Sequence, residues 1–434
     1  MTASKLIAHS PSVPRPTDAQ LAWQGLELGV FFHIGVNTFA GREWSDGTLP
    51  AESFAPTRLD AAQWVRTAAE AGARYVVLTA KHHDGFCLWP TATTDYSVAS
   101  SPWRDGRGDL VAEVAAACRE QGIGLGLYLS PWDRHAPEYP DPAAYDALYL
   151  AQLRELCTNY GELVELWFDG AGSAGRSYDW ESIMALTAEL QPGAMVFNMG
   201  TPTIRWIGNE DGLAGDPVRY AVDSASLDNY TDAVIDLGAA RYVPPEADVS
   251  IRQGWFWAAD DEPKSVDHLL AIYYRSVGMG ANLLLNVPPD TRGLIDDADV
   301  TRLREWRAEL DRRFASPVPG ELSQIADGVW EVVFEAPVTF DHLDLAEYLN
   351  DGQRVSAHRA VAVGTSGDGA EGPVLAEGRT IGHRRIHAHP PVTTHRIRIE
   401  LTGAGARLAG VQVHHAGTHE VPEIAYLAPT DEPE

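Results

Sequence analysis

The feature of this 434-residue chain that most restricts its fold is a recurring unit, a short apolar run that ends in a polar residue and leads into a segment with helical spacing. Leu28 to Phe32 ends in His33, Ala73 to Thr79 runs into Lys81-His82-His83-Asp84-Gly85-Phe86, and Ile123 to Leu129 ends in Ser130-Pro131-Trp132-Asp133. Leu163 to Phe168 then ends in Asp169-Gly170, Ala194 to Phe197 in Asn198, and Ala281 to Leu285 in Asn286. Between these runs, Asp60-Ala61-Ala62-Gln63 reads as a capping box opening a helix that reaches Ala71-Gly72. Asp109 to Gln121 is closed by Gly122, and Pro142 to Tyr160 by Gly161. Strands separated by helices make parallel βαβ units, and their number predicts a (β/α)8-like barrel, an α/β fold, rather than an open sheet. No GxGxxG or phosphate-cradling loop follows the first strand, which argues against a dinucleotide-binding sheet.

Beyond Ser316-Pro317-Val318-Pro319-Gly320 the period changes to two, in Val329 to Glu335, Arg396 to Leu401 and Val411-Gln412-Val413. Turn-rich stretches such as Thr365-Ser366-Gly367-Asp368-Gly369 lie between. That texture predicts a C-terminal antiparallel β-sandwich. A helix capped by Asp299 and carrying Val300, Leu303, Trp306 and Leu310 on one face closes the first domain at Phe314. The expected division is therefore a barrel over residues 1–317 and a sandwich over 318–434. At 45% apolar residues, both can bury a core without staples. The cysteines Cys87, Cys118 and Cys157 are odd in number, and the last two sit on apolar helix faces, so they read as buried thiols in a reducing compartment. Met1 to Gln20 holds no apolar run of signal-peptide length, and no stretch approaches the ~18 to 20 apolar residues of a membrane span. A cytoplasmic protein is expected. The net charge of −28 disfavours nucleic acid and anionic membranes as partners, because both bind through clustered Lys and Arg.

The carboxyl ends of barrel strands carry the reacting groups, so the Lys81-His82-His83-Asp84 cluster reads as a site, although a His pair can also simply satisfy loop backbone. Trp44, Trp89, Trp103, Trp132, Trp167, Trp206, Trp255 and Trp257 fall in or beside the strand-exit loops, apart from those that fill the core. Flat apolar rings among Asp, Glu, His and Asn suit a sugar. Glycoside hydrolysis needs two carboxyl groups. Asp169 at a strand exit and Glu210 in a Gly-bounded acidic turn are the candidates; a helix N-cap and an exposed loop acid are the plainer readings of the two. A metal-dependent barrel hydrolase ligated by His33, His82, His83 and Asp169, and a carbohydrate-binding protein without turnover, are competing classes.

The stretch from about Trp23 to Leu303 closely resembles the α-L-fucosidases of glycoside hydrolase family 29. The likeness is carried by Gly29-Val30-Phe31-Phe32-His33-Ile34-Gly35-Val36-Asn37-Thr38-Phe39, Glu43-Trp44, Thr79 to Phe86, Gly126 to Asp133, Glu165-Leu166-Trp167-Phe168-Asp169-Gly170 and Leu284 to Asp290. Several of these forms are similar to the branch that prefers α-1,3/1,4-fucosyl linkages in branched glycans. The resemblance implies a retaining enzyme acting on fucosylated oligosaccharides without metal or other cofactor. In it Asp169 is the nucleophile and Glu210, ending Arg205 to Glu210, is the acid/base, with Glu246 as a rival acid. It also implies that His33, Glu43, Trp44, His82, His83, Tyr128 and Trp167 line the fucose pocket, with Trp255 in the Arg252 to Trp257 segment beside it. Gln253 and Trp257 depart from the family's usual Pro and Tyr there.

Overall fold

The computed structural model describes residues 13–227, 233–364 and 371–424. The turn stretch Thr365 to Gly369 lies outside the described residues, as do residues 1–12. After helix α1 (Asp18–Gln24), strand β1 (Leu28–Phe32) leads through α2 (Val36–Ala40) and α3 (Ala61–Glu70) to β2 (Tyr75–Lys81). Helix α4 (Leu110–Gln121) leads to β3 (Gly124–Leu129), α5 (Pro142–Asn159) to β4 (Glu165–Trp167), and α6 (Trp180–Leu190) to β5 (Met195–Phe197). Then the alternation stops. β6 (Arg205–Trp206) follows β5 through a loop, and an antiparallel hairpin of β7 (Ala221–Ser226) and β8 (Val234–Tyr242) stands where a helix would precede β9 (Pro245–Ser250). Gly200, Pro202, Gly208, Gly212, Gly215 and Pro217 leave no room for a helix in that stretch. Helix α7 (Val266–Arg275) leads to β10 (Asn282–Asn286), and α8 (Asp297–Phe314) ends the unit.

The eight strands pair in parallel in the order β5-β4-β3-β2-β1-β10-β9-β6. The ring closes between β5 and β6, where Asn198 N donates to Ile204 O at 3.1 Å and Ile204 N to Val196 O at 3.2 Å. This is the expected (β/α)8-like barrel. Outward strand faces pack on the helices in the largest core cluster, with Trp64, Leu127, Leu166 and Trp306 in it. A separate cluster of Phe31, Tyr75, Tyr128, Trp167, Phe197, Trp206 and Leu284 fills the barrel interior. The C-terminal part is antiparallel β, also as expected: β11 (Glu321–Ala326), β12 (Val329–Glu347), β13 (Ala357–Val363), β14 (Glu371–Gly378), β15 (Arg385–Thr402) and β16 (Leu408–His414) form one six-stranded sheet around its own core. β12 and β15 are long and break register near Val333/Val338 and Phe340/His342.

Several local expectations change. Asp60 does cap α3, accepting from Gln63 N at 3.1 Å, but the Gln63 side chain does not complete a capping box. It bridges to Ile295, donating to its carbonyl at 3.1 Å and accepting from its N–H at 2.9 Å. The cap of α8 is Asp296, whose side chain accepts from Ala298 N; Asp299 is instead buried one turn in, where Arg252 Nε donates to it at 2.9 Å. Lys81 is the last residue of β2 rather than a loop cation. Its buried Nζ lies 3.0 Å from Asp133 Oδ2 and donates to the Tyr145 hydroxyl at 3.2 Å. All three cysteines are buried and unbridged. Among the described residues no helix is long and apolar enough to cross a membrane.

Gly29 shows how tight the barrel interior is. It pairs with Tyr75 across β1 and β2, and a Cβ there would lie 2.4 Å from the Tyr75 ring. Tyr75 cannot swing away, because its hydroxyl donates to Glu246 Oε1 at 2.5 Å. Gly29→Ala should therefore lower stability by about 1–3 kcal/mol in urea unfolding. Gly410→Ala, where an added Cβ meets nothing within 4 Å, should leave the midpoint essentially unchanged.

Candidate active site

Parallel strands all present their carboxyl ends on one side of the barrel, and the side chains that leave those ends converge on a cleft open to solvent. His33 follows β1, His82 and His83 follow β2, Tyr128 is in β3, Trp167 is in β4 and Asp169 is two residues past it. The two carboxyl candidates and the expected sugar-binding residues line this one cleft: Asp169, Glu210, His33, Glu43, Trp44, His82, His83, Tyr128, Trp167 and Trp255.

Asp169 is the better defined carboxyl. Alternation along β4 turns Glu165, Trp167 and Asp169 to the barrel axis, with Asp169 at the mouth. Its Oδ1 accepts from Ala171 N at 2.9 Å and its Oδ2 from the Tyr128 hydroxyl at 3.0 Å, while His83 Nε2 stands 3.5 Å from Oδ2. Burial works against ionisation here, but His83, the Ala171 N–H and the Tyr128 hydroxyl outweigh it and hold the carboxyl below its ordinary range. Ser130 Oγ donates to Trp132 O at 2.6 Å, so it accepts from His83 Nδ1 at 2.7 Å. The ring is thereby fixed with Nε2 toward Asp169.

The other imidazoles are kept neutral. Asn286 Nδ2 donates to Ser250 Oγ and to Trp255 O, both at 2.9 Å, so its oxygen faces His33 and accepts from Nδ1 at 2.8 Å. That leaves His33 Nε2 as an acceptor toward the cleft. Burial drives His33 down to about 3, and His82 is likewise lowered by burial, then by His83 and His33. His82 Nδ1 is buried with no partner among the described residues, while its ring stacks on Tyr128 at 5.7 Å.

Aromatic walls complete the cleft. Trp167 stacks on Phe197 at 3.7 Å, and Trp44 lies 4.8 Å from His83 and 5.4 Å from Trp132. Glu43 has a bracing role: its carboxylate accepts from Trp255 N at 2.7 Å and Phe256 N at 3.2 Å. Gly254 permits that approach, since a Cβ there would lie 2.3 Å from Glu43 Oε1. The same loop is anchored behind by Arg252 on Asp299.

Glu210, half-buried in the turn after β6, has an unexpected companion in Asp248 of β9. Asp248 Oδ1 accepts from Trp206 Nε1 at 2.7 Å; burial first, then the Glu210 charge, push its carboxyl well up. The rival acid Glu246 does not line the cleft. It is fully buried below it, accepting from Tyr75 and, at 2.9 Å, from Trp167 Nε1, so it has no path to a substrate oxygen. Asp248 escaped the sequence reading because β9 is not an apolar run. Its alternation, Glu246-Ala247-Asp248-Val249-Ser250, was the available signal, with acids turned inward and apolar residues outward. Phe31, Phe197, Leu227 and Phe256 were missed as site residues too, being indistinguishable from core by type. Of the Lys81-His82-His83-Asp84 cluster, Lys81 and Asp84 stay out of the cleft, and burial raises Asp84 to about 6 while it accepts from Phe86 N. No three His, Cys, Asp or Glu side chains among the described residues converge as a metal cage, so the ligand set His33, His82, His83 and Asp169 has no geometric support.

Residues 12–310 match the family model described as alpha-L-fucosidase. Alpha-L-fucosidase 1 of Arabidopsis thaliana is 40% identical over 87% of this chain and 82% of its own length. The plasma alpha-L-fucosidase of Homo sapiens is 26% identical over 70% of this chain and 71% of its own. The crystal structure of SpGH29 superposes with a TM-score of 0.84 at 37% identity, covering 94% of this chain and 99% of that one. A Ruminococcus gnavus GH29 fucosidase in complex with fucose superposes with a TM-score of 0.80 at 30% identity, over 94% of this chain and 96% of its own.

Removing the Tyr128 hydroxyl takes away one of the groups that favour the charged form of Asp169. In Tyr128→Phe the Asp169 carboxyl should titrate at a higher pH than in the unaltered protein, as followed by carbon-13 NMR of labelled aspartate. An unchanged titration would assign the whole effect to His83 and the Ala171 amide.

Proposed function

The chain belongs to the α-L-fucosidase family of glycoside hydrolases, and from that premise we propose that it removes α-1,3/1,4-linked fucose from branched oligosaccharides by a retaining double displacement. The observation that carries this reading is the difference between two cleft carboxyl environments. One, at Asp169, favours the anion; the other, at Asp248 beside Glu210, favours retention of a proton. Ionised Asp169 attacks the anomeric carbon as the glycosidic C–O bond breaks, and Glu210 transfers its proton to the departing oxygen. A water then gives its proton to Glu210 and attacks the same carbon, releasing fucose and Asp169. His33 Nε2 is available to a sugar hydroxyl, and a wrong epimer would leave such a group unpaired at roughly 1 to 3 kcal/mol.

The preference for branched acceptors rests on the aromatic rings beyond the sugar pocket. Trp132 beside Trp44, together with Trp255, offers apolar faces to a second sugar, whereas Trp206 is buried in the barrel interior. The same proposal assigns catalysis to residues 1–317, an accessory role to 318–434, and a cytoplasmic place of action, which suits three buried free thiols.

A 2-deoxy-2-fluoro fucosyl donor should slow the second step and leave a label that mass spectrometry finds on the peptide carrying Asp169; a label elsewhere refutes the nucleophile. Asp169→Ala should lose on the order of 10³-fold or more in kcat. Glu210→Gln should keep first-step turnover only with leaving groups that need no proton, and azide should restore its rate.

Substrate choice is open to a separate comparison. If binding of the second sugar is expressed in the transition state, a Lewis-type trisaccharide should exceed the same fucosyl disaccharide lacking galactose in kcat/KM by far more than in affinity. Equal or better rates on an α-1,2-fucosyl compound or a simple aryl fucoside would remove the linkage assignment and leave the fucosidase reading intact.

A further inference from the structure

Asp248 has no role in the two-carboxyl scheme, yet its setting is built with care. It lies on the inward face of β9, is 3% exposed, and lines the cleft together with Glu210. The short segment that carries Glu210 also carries the indole that fixes Asp248, for Trp206 donates to it from β6 at 2.7 Å. That segment is itself braced. Trp206 N donates to Asn198 Oδ1 at 3.2 Å, and Asn209 Oδ1 accepts from Asp211 N at 3.1 Å and Leu213 N at 3.2 Å. The register of two acids is therefore set by backbone and indole contacts on both sides.

Two carboxyl groups that share one cleft do not ionise independently. Each charge opposes the other, so the pair gives up its second proton less readily than its first. The remaining titratable groups are placed differently. Glu246 lies below on β9, and Asp211 of the same turn feels Lys264, while Asp169, His33, His82 and His83 stand around the cleft. None of these makes the indole bond that holds Asp248.

We propose that Asp248 is a positioning residue for the acid/base: it and Glu210 hold one proton between them, and this is the proton delivered to the departing oxygen. The inference rests on Glu210 being the acid/base. In the first step the pair gives up its proton as the glycosidic bond breaks and both carboxyls are charged; in the second, Glu210 takes a proton from the attacking water and the pair is restored. Repulsion between the two anions makes that recovery favourable.

The test is the pH profile of kcat/KM on a fucosylated oligosaccharide, whose leaving group needs a proton, beside an aryl fucoside whose leaving group does not. Asp248→Asn should move the alkaline limb to lower pH, with a loss about tenfold larger on the alkaline side than at the optimum. Trp206→Phe removes a donor to the Asp248 anion and should move the same limb the opposite way, to higher pH. The aryl fucoside should show neither shift in its first step. An unmoved limb in both variants, or a loss equal at every pH and on both substrates, overturns the proposal. Full activity of Glu210→Gln on the oligosaccharide would instead remove the acid/base assignment beneath it, a result distinguishable from either.

Discussion

Two buried carboxyls at the centre of the barrel hold the rest of the site in place. Glu165 and Glu246 lie together in the interior, both carboxyls raised chiefly by burial, and Glu165 further by the Glu246 charge. Around them Trp23 Nε1 donates to Glu165 at 3.0 Å, and Tyr75 and Trp167 donate to Glu246. Those contacts cross-link α1, β2, β4 and β9 through groups that cannot be left unpaired without a cost of several kcal/mol. Trp167 sits one inward step below Asp169 on the same strand. The floor of the cleft and the height of the nucleophile candidate are thus set by the same polar core.

Above that core, positions are fixed by groups that never meet a substrate. Asn286 decides which nitrogen of His33 carries the proton, and it is itself oriented by Ser250 and by the carbonyl of Trp255. Glu43 holds the amides of Trp255 and Phe256, and Arg252 ties the same loop to Asp299 on α8. A loop with Gly254 at its bend would have many conformations on its own. Anchoring it from both sides removes that freedom before any ligand arrives, which is the physical content of a preorganised pocket.

The cleft also separates two acids by their neighbours rather than by their depth. Asp169 and Asp248 are both penalised by burial, yet Asp169 gains two hydrogen-bond donors and an imidazole, while Asp248 gains one indole and an adjacent anion. The first environment stabilises charge and the second opposes it. A nucleophile and a proton donor need opposite states at the same pH, and this contrast is what the proposed roles require.

The barrel, the antiparallel C-terminal part and the cleft residues were legible in the sequence because each depends on local pattern: apolar runs, their polar exits, and a change of period after Phe314. Asp169, Glu210 and the three histidines were visible for the same reason. What depended on long-range pairing was not. The hairpin β7–β8 replaces an expected helix, and β9 hides as an alternating strand because its inward face is acidic. Asp299 looked like a cap until α8 brought it against Arg252, and Glu246 looked like a rival acid until alternation turned it into the core. Asp248 and Glu210 are 38 residues apart, counting from 210 to 248, and the parallel pairing of β6 with β9 brings them to one cleft. Local periodicity determines which residues face inward at a strand's end; which of those faces meet, and therefore which acids share a proton, is decided by the register of the closed sheet.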